Sequence, residues 1–134
     1  VFGNDGNDLI LAGDDDDAVL GGLGDDFIFD GRGEDSIAGA EGNDSFIHII
    51  DPLLGVADDG LTDIFHGGAG TDTLYIVVAA GEEGNYATDT AGLAALGLEI
   101  IDVESVQIIG GLDAIGGLVA GQVWADEAAL WNLV

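Results

Sequence analysis

The nine residues Gly21–Phe29, GGLGDDFIF, carry the pattern on which the fold turns. A glycine-rich hexapeptide can bend sharply and present its carbonyls inward, because glycine accepts φ > 0. The triplet that follows reads as a short strand, whose period of two sends Ile28 to the face opposite Phe27 and Phe29. The same unit runs on in both directions without a gap: GNDGNDLIL from Gly3, AGDDDDAVL from Ala12, DGRGEDSIA from Asp30 and GAEGNDSFI from Gly39. The sixth position is always aspartate (Asp8, Asp17, Asp26, Asp35, Asp44) and the eighth always apolar (Ile10, Val19, Ile28, Ile37, Phe46). Glycine dominates positions one, two and four.

Composition sets the limits on function. Of 134 residues, 48% are hydrophobic, too many for a disordered acidic tail. The formal net charge is nevertheless −26, and Arg32 is the only Lys or Arg. Phosphate contacts need Lys and Arg, so nucleic-acid binding is excluded, and so is electrostatic docking to an anionic membrane. The counter-charges such a chain needs are cations, and it should be unstable without them. There are no cysteines, hence no disulfide and no thiolate metal site. No apolar run reaches the roughly 18 residues of a membrane-spanning helix, and no Sec-type signal is visible. Val1 and Phe2 fit positions eight and nine of a preceding copy, so the array is expected to begin upstream.

The lines set out in nines resemble the RTX (repeats-in-toxin, hemolysin-type) nonapeptide G-G-x-G-x-D-x-U-x, a calcium-binding repeat. GGLGDDFIF matches every defined position, and AGDDDDAVL departs most, with Ala12 and Asp15 in place of glycines. The resemblance is continuous over residues 3–47 and returns as GGAGTDTLY from Gly67, with Thr62–His66 as the tail of a repeat in register with it. It implies an all-β fold, a right-handed parallel β-roll in which two nonapeptides make one turn and copies 18 residues apart stack. It also implies several calcium ions as cofactors. Asp8, Asp26 and Asp44 would line one edge and Asp17 and Asp35 the other, with sites shared by Asp8/Asp26, Asp26/Asp44 and Asp17/Asp35. Asp72 would join a further site, its partner left open because residues 48–62 break the register. Gly6, Gly22, Gly24, Gly33 and Gly42 would contribute backbone carbonyls, in keeping with calcium's demand for six to eight oxygen ligands.

The resulting division is a roll over residues 1–47, an irregular insertion with a degenerate repeat over 48–66, a last repeat and capping strand over 67–80, and a mostly β cap over 81–134. Within the cap, LEIIDVESVQII (98–109) shifts its apolar phase near Ser105, which suggests a bulge or bend. Residues 120–134 read as a short amphipathic helix, either docked on the roll or serving as a type I secretion signal of the sort RTX proteins carry near their ends. Outward positions of the odd copies (Leu9, Phe27, Ser45; Leu11, Phe29, Ile47) would stack into an apolar stripe, covered by the C-terminal half or by a neighbouring subunit.

No HExxH, GxSxG or phosphate-cradling loop occurs, so no catalytic residue is assigned and the chain is read as a non-enzyme. His48 and His66 flank the insertion, and their repeat context favours structural roles over zinc ligation. The expected function is a calcium-binding module of a secreted bacterial protein that folds after type I export. Two alternatives stand beside it: a subunit of a calcium-dependent surface layer, adhesin or other extracellular assembly, and the non-catalytic C-terminal part of a secreted protease or lipase.

Overall fold

Short strands separated by tight loops have one economical way to bury an apolar eighth position, which is to stack copy upon copy. A computed structural model describes residues 1–50, 61–111 and 113–115. Its strands are β1 (Phe2–Asp5), β2 (Leu9–Leu11), β3 (Ala18–Leu23), β4 (Phe27–Phe29), β5 (Ser36–Glu41), β6 (Ser45–Ile49), β7 (Asp63–Ala69), β8 (Thr73–Val78), β9 (Leu98–Ile101) and β10 (Ser105–Gly110). A helix, α1 (Thr90–Ala95), precedes β9, capped by the Asp89 carboxylate, which accepts from the Gly92 amide.

The strands alternate between two parallel sheets, ordered β1-β3-β5-β7-β9 and β10-β8-β6-β4-β2. The chain is therefore an all-β parallel β-roll. Register keeps the eighth positions in file: Val19, Ile37, Phe65 and Ile100 align in the first sheet, and Ile10, Ile28, Phe46, Leu74 and Val106 in the second. These two files face each other, and their side chains fill one core with Ile76, Val78, Leu93 and Leu98. The Phe46 and Phe65 rings meet there at 5.7 Å.

The step between stacked partners is 18 residues in the first coils but 28 between Asp35 and Asp63 and between Asp44 and Asp72. The ten extra residues lie between β6 and β7, and stacking resumes beyond them. The roll also continues past β8: β9 and β10 add one more coil. The phase shift near Ser105 is a turn at Asp102–Glu104 between those two strands, with Asp102 at φ 53°. The helix expected over 120–134 lies outside the described residues.

The two sheets differ on their outer faces. Outside the second sheet Phe27, Phe29, Ile47, Ile49 and Val77 pack with Ile115 into a second apolar cluster. Ile115 comes from the C-terminal half, in line with cover by the chain itself. Outside the first sheet Ala18, Ser36, His66 and Glu99 are exposed.

Backbone geometry explains the glycines at positions two and four. Gly22, Gly31 and Gly68 at position two, and Gly24, Gly33, Gly42 and Gly70 at position four, all take φ between 96° and 138°. Asn4 and Ala40 at position two, and Asp15 at position four, adopt the same left-handed backbone at φ 85°, 94° and 78°. AGDDDDAVL thus keeps the loop shape at a steric cost of about 1–2 kcal/mol for each such residue. Opposite signs are expected from mirror-image substitutions. Ala40→Gly should stabilise the folded protein by about 1 kcal/mol. Gly22→Ala should destabilise it by more than that gain, because its Cβ would collide with the Asn4 carbonyl oxygen. Denaturant midpoints measured at saturating calcium check both.

Candidate metal sites along the loop edges

Each loop ends on its sixth-position aspartate, and that residue makes the same contact in every coil. The backbone amide of one aspartate donates to Oδ1 of the aspartate in the next coil. Along one edge the links are Asp8 to Asp26 (2.9 Å), Asp26 to Asp44 (2.9 Å) and Asp44 to Asp72 (2.8 Å). Along the other they are Asp17 to Asp35 (2.8 Å) and Asp35 to Asp63 (3.0 Å). Asp72 in turn donates to Glu104 Oε2 at 2.6 Å, so a glutamate from the β9–β10 turn continues the first edge. A second ladder runs through position five: the amides of Asp25, Asn43, Thr71 and Glu34 donate to the side chains of Asn7, Asp25, Asn43 and Asp16.

These bonds hold Oδ1 of Asp26, Asp35, Asp44, Asp63 and Asp72, which puts the question to Oδ2. In Asp8, Asp17, Asp26, Asp35, Asp44 and Asp72 that oxygen is buried and has no hydrogen-bond partner among the described residues. A buried acceptor left so is costly, and six in two files call for an explanation. Position one shows where these oxygens point. A Cβ placed on Gly3 would stand 2.7 Å from Asp8 Oδ2 and 2.5 Å from the Gly21 carbonyl oxygen. The same convergence of aspartate Oδ2 and a carbonyl from the next coil surrounds Gly21, with Asp26 and Gly39. At Gly67 the pair is Asp72 Oδ2 and the Asp102 carbonyl. Glycine at position one therefore keeps open a small space lined by oxygens of two coils. At position four the carbonyls of Gly6 and Gly24 stand where a Cβ on Gly24 and Gly42 would be.

The electrostatics agree. Burial raises the carboxyl pKa of Asp26 from 3.8 to about 6 and that of Asp44 to about 6, opposed by the amide each accepts and helped by neighbouring carboxylates. Asp35 rises to about 7, first through burial and then through the charges of Asp30, Asp63 and Asp17. Asp72 is raised by burial and by Glu104 and Asp102. The one guanidinium does not relieve this: Arg32 pairs with Asp14 on the exposed outside of the stack, at 2.9 and 2.7 Å, where a salt bridge contributes little. An oxygen-seeking divalent cation suits this donor set, with carboxylate oxygens and carbonyls converging from stacked loops.

All six sequence-assigned aspartates thus stand in the two files. Asp72, whose partner was open, is bonded to Asp44. Two members were not assigned from sequence. Asp63 is sixth in the degenerate copy, nine residues before Asp72, and that spacing was the available signal. Glu104 precedes the alternating Ser105–Gln107 as each repeat aspartate precedes its strand, but no glycine frame announces it.

An oxygen-lined, coil-stacked roll of this kind defines a class of cation-binding repeat module. Protein-family comparison places the chain more narrowly: the RTX calcium-binding nonapeptide repeat matches residues 1–28, 20–47 and 59–75, and the chain belongs to that family. Comparison with curated proteins and with solved structures returns no match.

The raised pKa values set a pH dependence for the calcium-free protein. The folded state holds protons more tightly than the unfolded one, so the stability these groups contribute is present below about pH 4 and lost as pH rises through 6–7. Calcium-free protein should therefore gain β circular dichroism as pH is lowered from 8 towards 5. A signal that is flat, or that grows with rising pH, contradicts the assignment.

Proposed function

We propose that this chain is the calcium-binding β-roll module of a secreted protein, kept unfolded by its own carboxylates until it meets extracellular calcium. The observation that carries the reading is the file of buried Oδ2 atoms without partners in six position-six aspartates. Sites shared by Asp8/Asp26, Asp26/Asp44 and Asp17/Asp35 extend naturally to Asp44/Asp72, with carbonyls of the loop glycines completing the oxygen shell. Calcium bound there supplies positive charge to groups that otherwise repel or must take up protons. The free energy of binding then becomes free energy of folding.

Secretion is supported by family membership, since RTX repeat proteins are usually secreted. No helix among the described residues is long and apolar enough to cross a membrane. A chain that cannot compact at low calcium suits export in an unfolded state through a type I channel. The role in a parent protein is then structural, with any catalysis carried elsewhere. A second reading, a subunit of a calcium-dependent extracellular assembly, draws on apolar exposure on the outer face of the first sheet, where Leu20 and Ile101 are each 39% exposed. Light scattering separates the two, because a calcium-saturated monomer contradicts assembly.

Chelation should abolish the β signal, and calcium, but not sodium at equal ionic strength, should restore it. Asp26 belongs to two proposed sites and Asp17 to one. Asp26→Asn should therefore raise the calcium midpoint of folding by roughly tenfold or more, equivalent to about 1.4 kcal/mol. Asp17→Asn should raise it less. Spectra indifferent to chelation contradict the proposal.

A further inference from the structure

The second loop edge ends differently from the first. On the first edge position one is glycine in each copy (Gly3, Gly21, Gly39, Gly67), and the space beside the aspartate Oδ2 stays open. On the second edge position one carries side chains, in order Ala12, Asp30 and His48. Strand periodicity turns His48 inward with Phe46, and Asp30 inward with Ile28. The result is a buried cluster in which His48 Nδ1 lies 2.5 Å from Asp30 Oδ2 and 3.4 Å from Asp63 Oδ2. Asp30, His48 and Asp63 are 1%, 7% and 7% exposed, and one ligand atom from each lies within 4.8 Å of the others. Phe65 packs edge-on against the imidazole and fixes its plane.

We propose that Asp30, His48 and Asp63 form a site for a divalent transition-metal ion of the zinc class at the end of the second aspartate file, with Asp63 common to the file and the site. Calcium favours shells made wholly of oxygen, whereas imidazole nitrogen with carboxylates suits zinc and its neighbours. Tetrahedral coordination at about 2.0–2.1 Å sets ligand atoms about 3.3 Å apart, close to the His48–Asp63 separation. The shorter Asp30–His48 contact has to open by under about 1 Å to admit the ion. Three protein ligands leave a fourth position. Asp35 stands beside Asp63, its amide donating to Asp63 Oδ1 at 3.0 Å, and its own buried Oδ2 has no partner among the described residues. The insertion between β6 and β7 separates the two sequence segments that supply His48 and Asp63. The end of this edge thereby acquires chemistry that no nine-residue copy contains.

The test uses the full chain at saturating calcium, with circular dichroism first recording the calcium-folded state, so that failure of calcium-driven folding is read separately. Cobalt(II) added to this protein should give visible d–d absorption of a low-coordinate site, and one equivalent of zinc should displace it. His48→Gln should lose both signals while retaining the calcium-induced β spectrum. His66→Gln should leave them unchanged, since His66 is exposed and 3.9 Å from Asp102 at the far side of the sheet face. Zinc-edge X-ray absorption of the wild type, which needs no variant to fold, should show an imidazole nitrogen in the shell. Calcium-saturated protein that binds neither metal, binding undiminished in His48→Gln, or a shell of oxygen alone would each overturn the proposal.

Discussion

The hydrogen bond from one aspartate amide to the carboxylate of the aspartate in the next coil governs the molecule. It appears at 2.8–3.0 Å in five successive links on two edges. It holds one carboxylate oxygen of each accepting aspartate, and in Asp26, Asp35, Asp44 and Asp72 it leaves the other buried without a partner among the described residues. Coil spacing, strand register and cation demand follow together. The strands are too short to be stable alone, since a three-residue β2 or β4 buries little. Their cohesion comes from stacking, and stacking brings buried carboxylates into line. The favourable apolar core and the unfavourable charge ladder are consequences of the same repeat.

That coupling also accounts for what the roll tolerates. Ten added residues between β6 and β7 do not break the stack, because the link from Asp35 to Asp63 and the link from Asp44 to Asp72 are made again beyond them. An insertion between stacked coils adds closure entropy, which grows only slowly with its length. The two sheets divide the remaining labour. One presents a mixed outer face, with Ala18, Ser36 and His66 beside exposed Leu20 and Ile101, while the other carries Phe27, Phe29 and Ile47 packed with Ile115.

Much of this was legible in the sequence because a period of nine ties residue type directly to position. Val19, flanked by carboxylates in DDDDAVLGGLGDD, is in the core because it is eighth in its copy, whatever its neighbours. The repeat could not reveal where it lapses. Asp63 follows a copy without its glycines, and Glu104 sits in a turn with none of the frame. Asp30 and Asp63, 18 and 15 residues from His48 in sequence, meet it only in the folded stack. Side chains at position five, Asp16 and Asp25 among them, bond amides of the neighbouring coil, a role that the varied residue types there did not announce.

Residue-resolved amide hydrogen exchange, with calcium and after its chelation, addresses the central claim most directly. The amides of Asp8, Asp17, Asp26, Asp35 and Asp44 should be strongly protected with calcium, since each is held by the carboxylate of the next coil. They should exchange at unfolded-chain rates after chelation at neutral pH. Equal protection of these five amides in both conditions would contradict the account, because the carboxylate ladder would then stand without the cation.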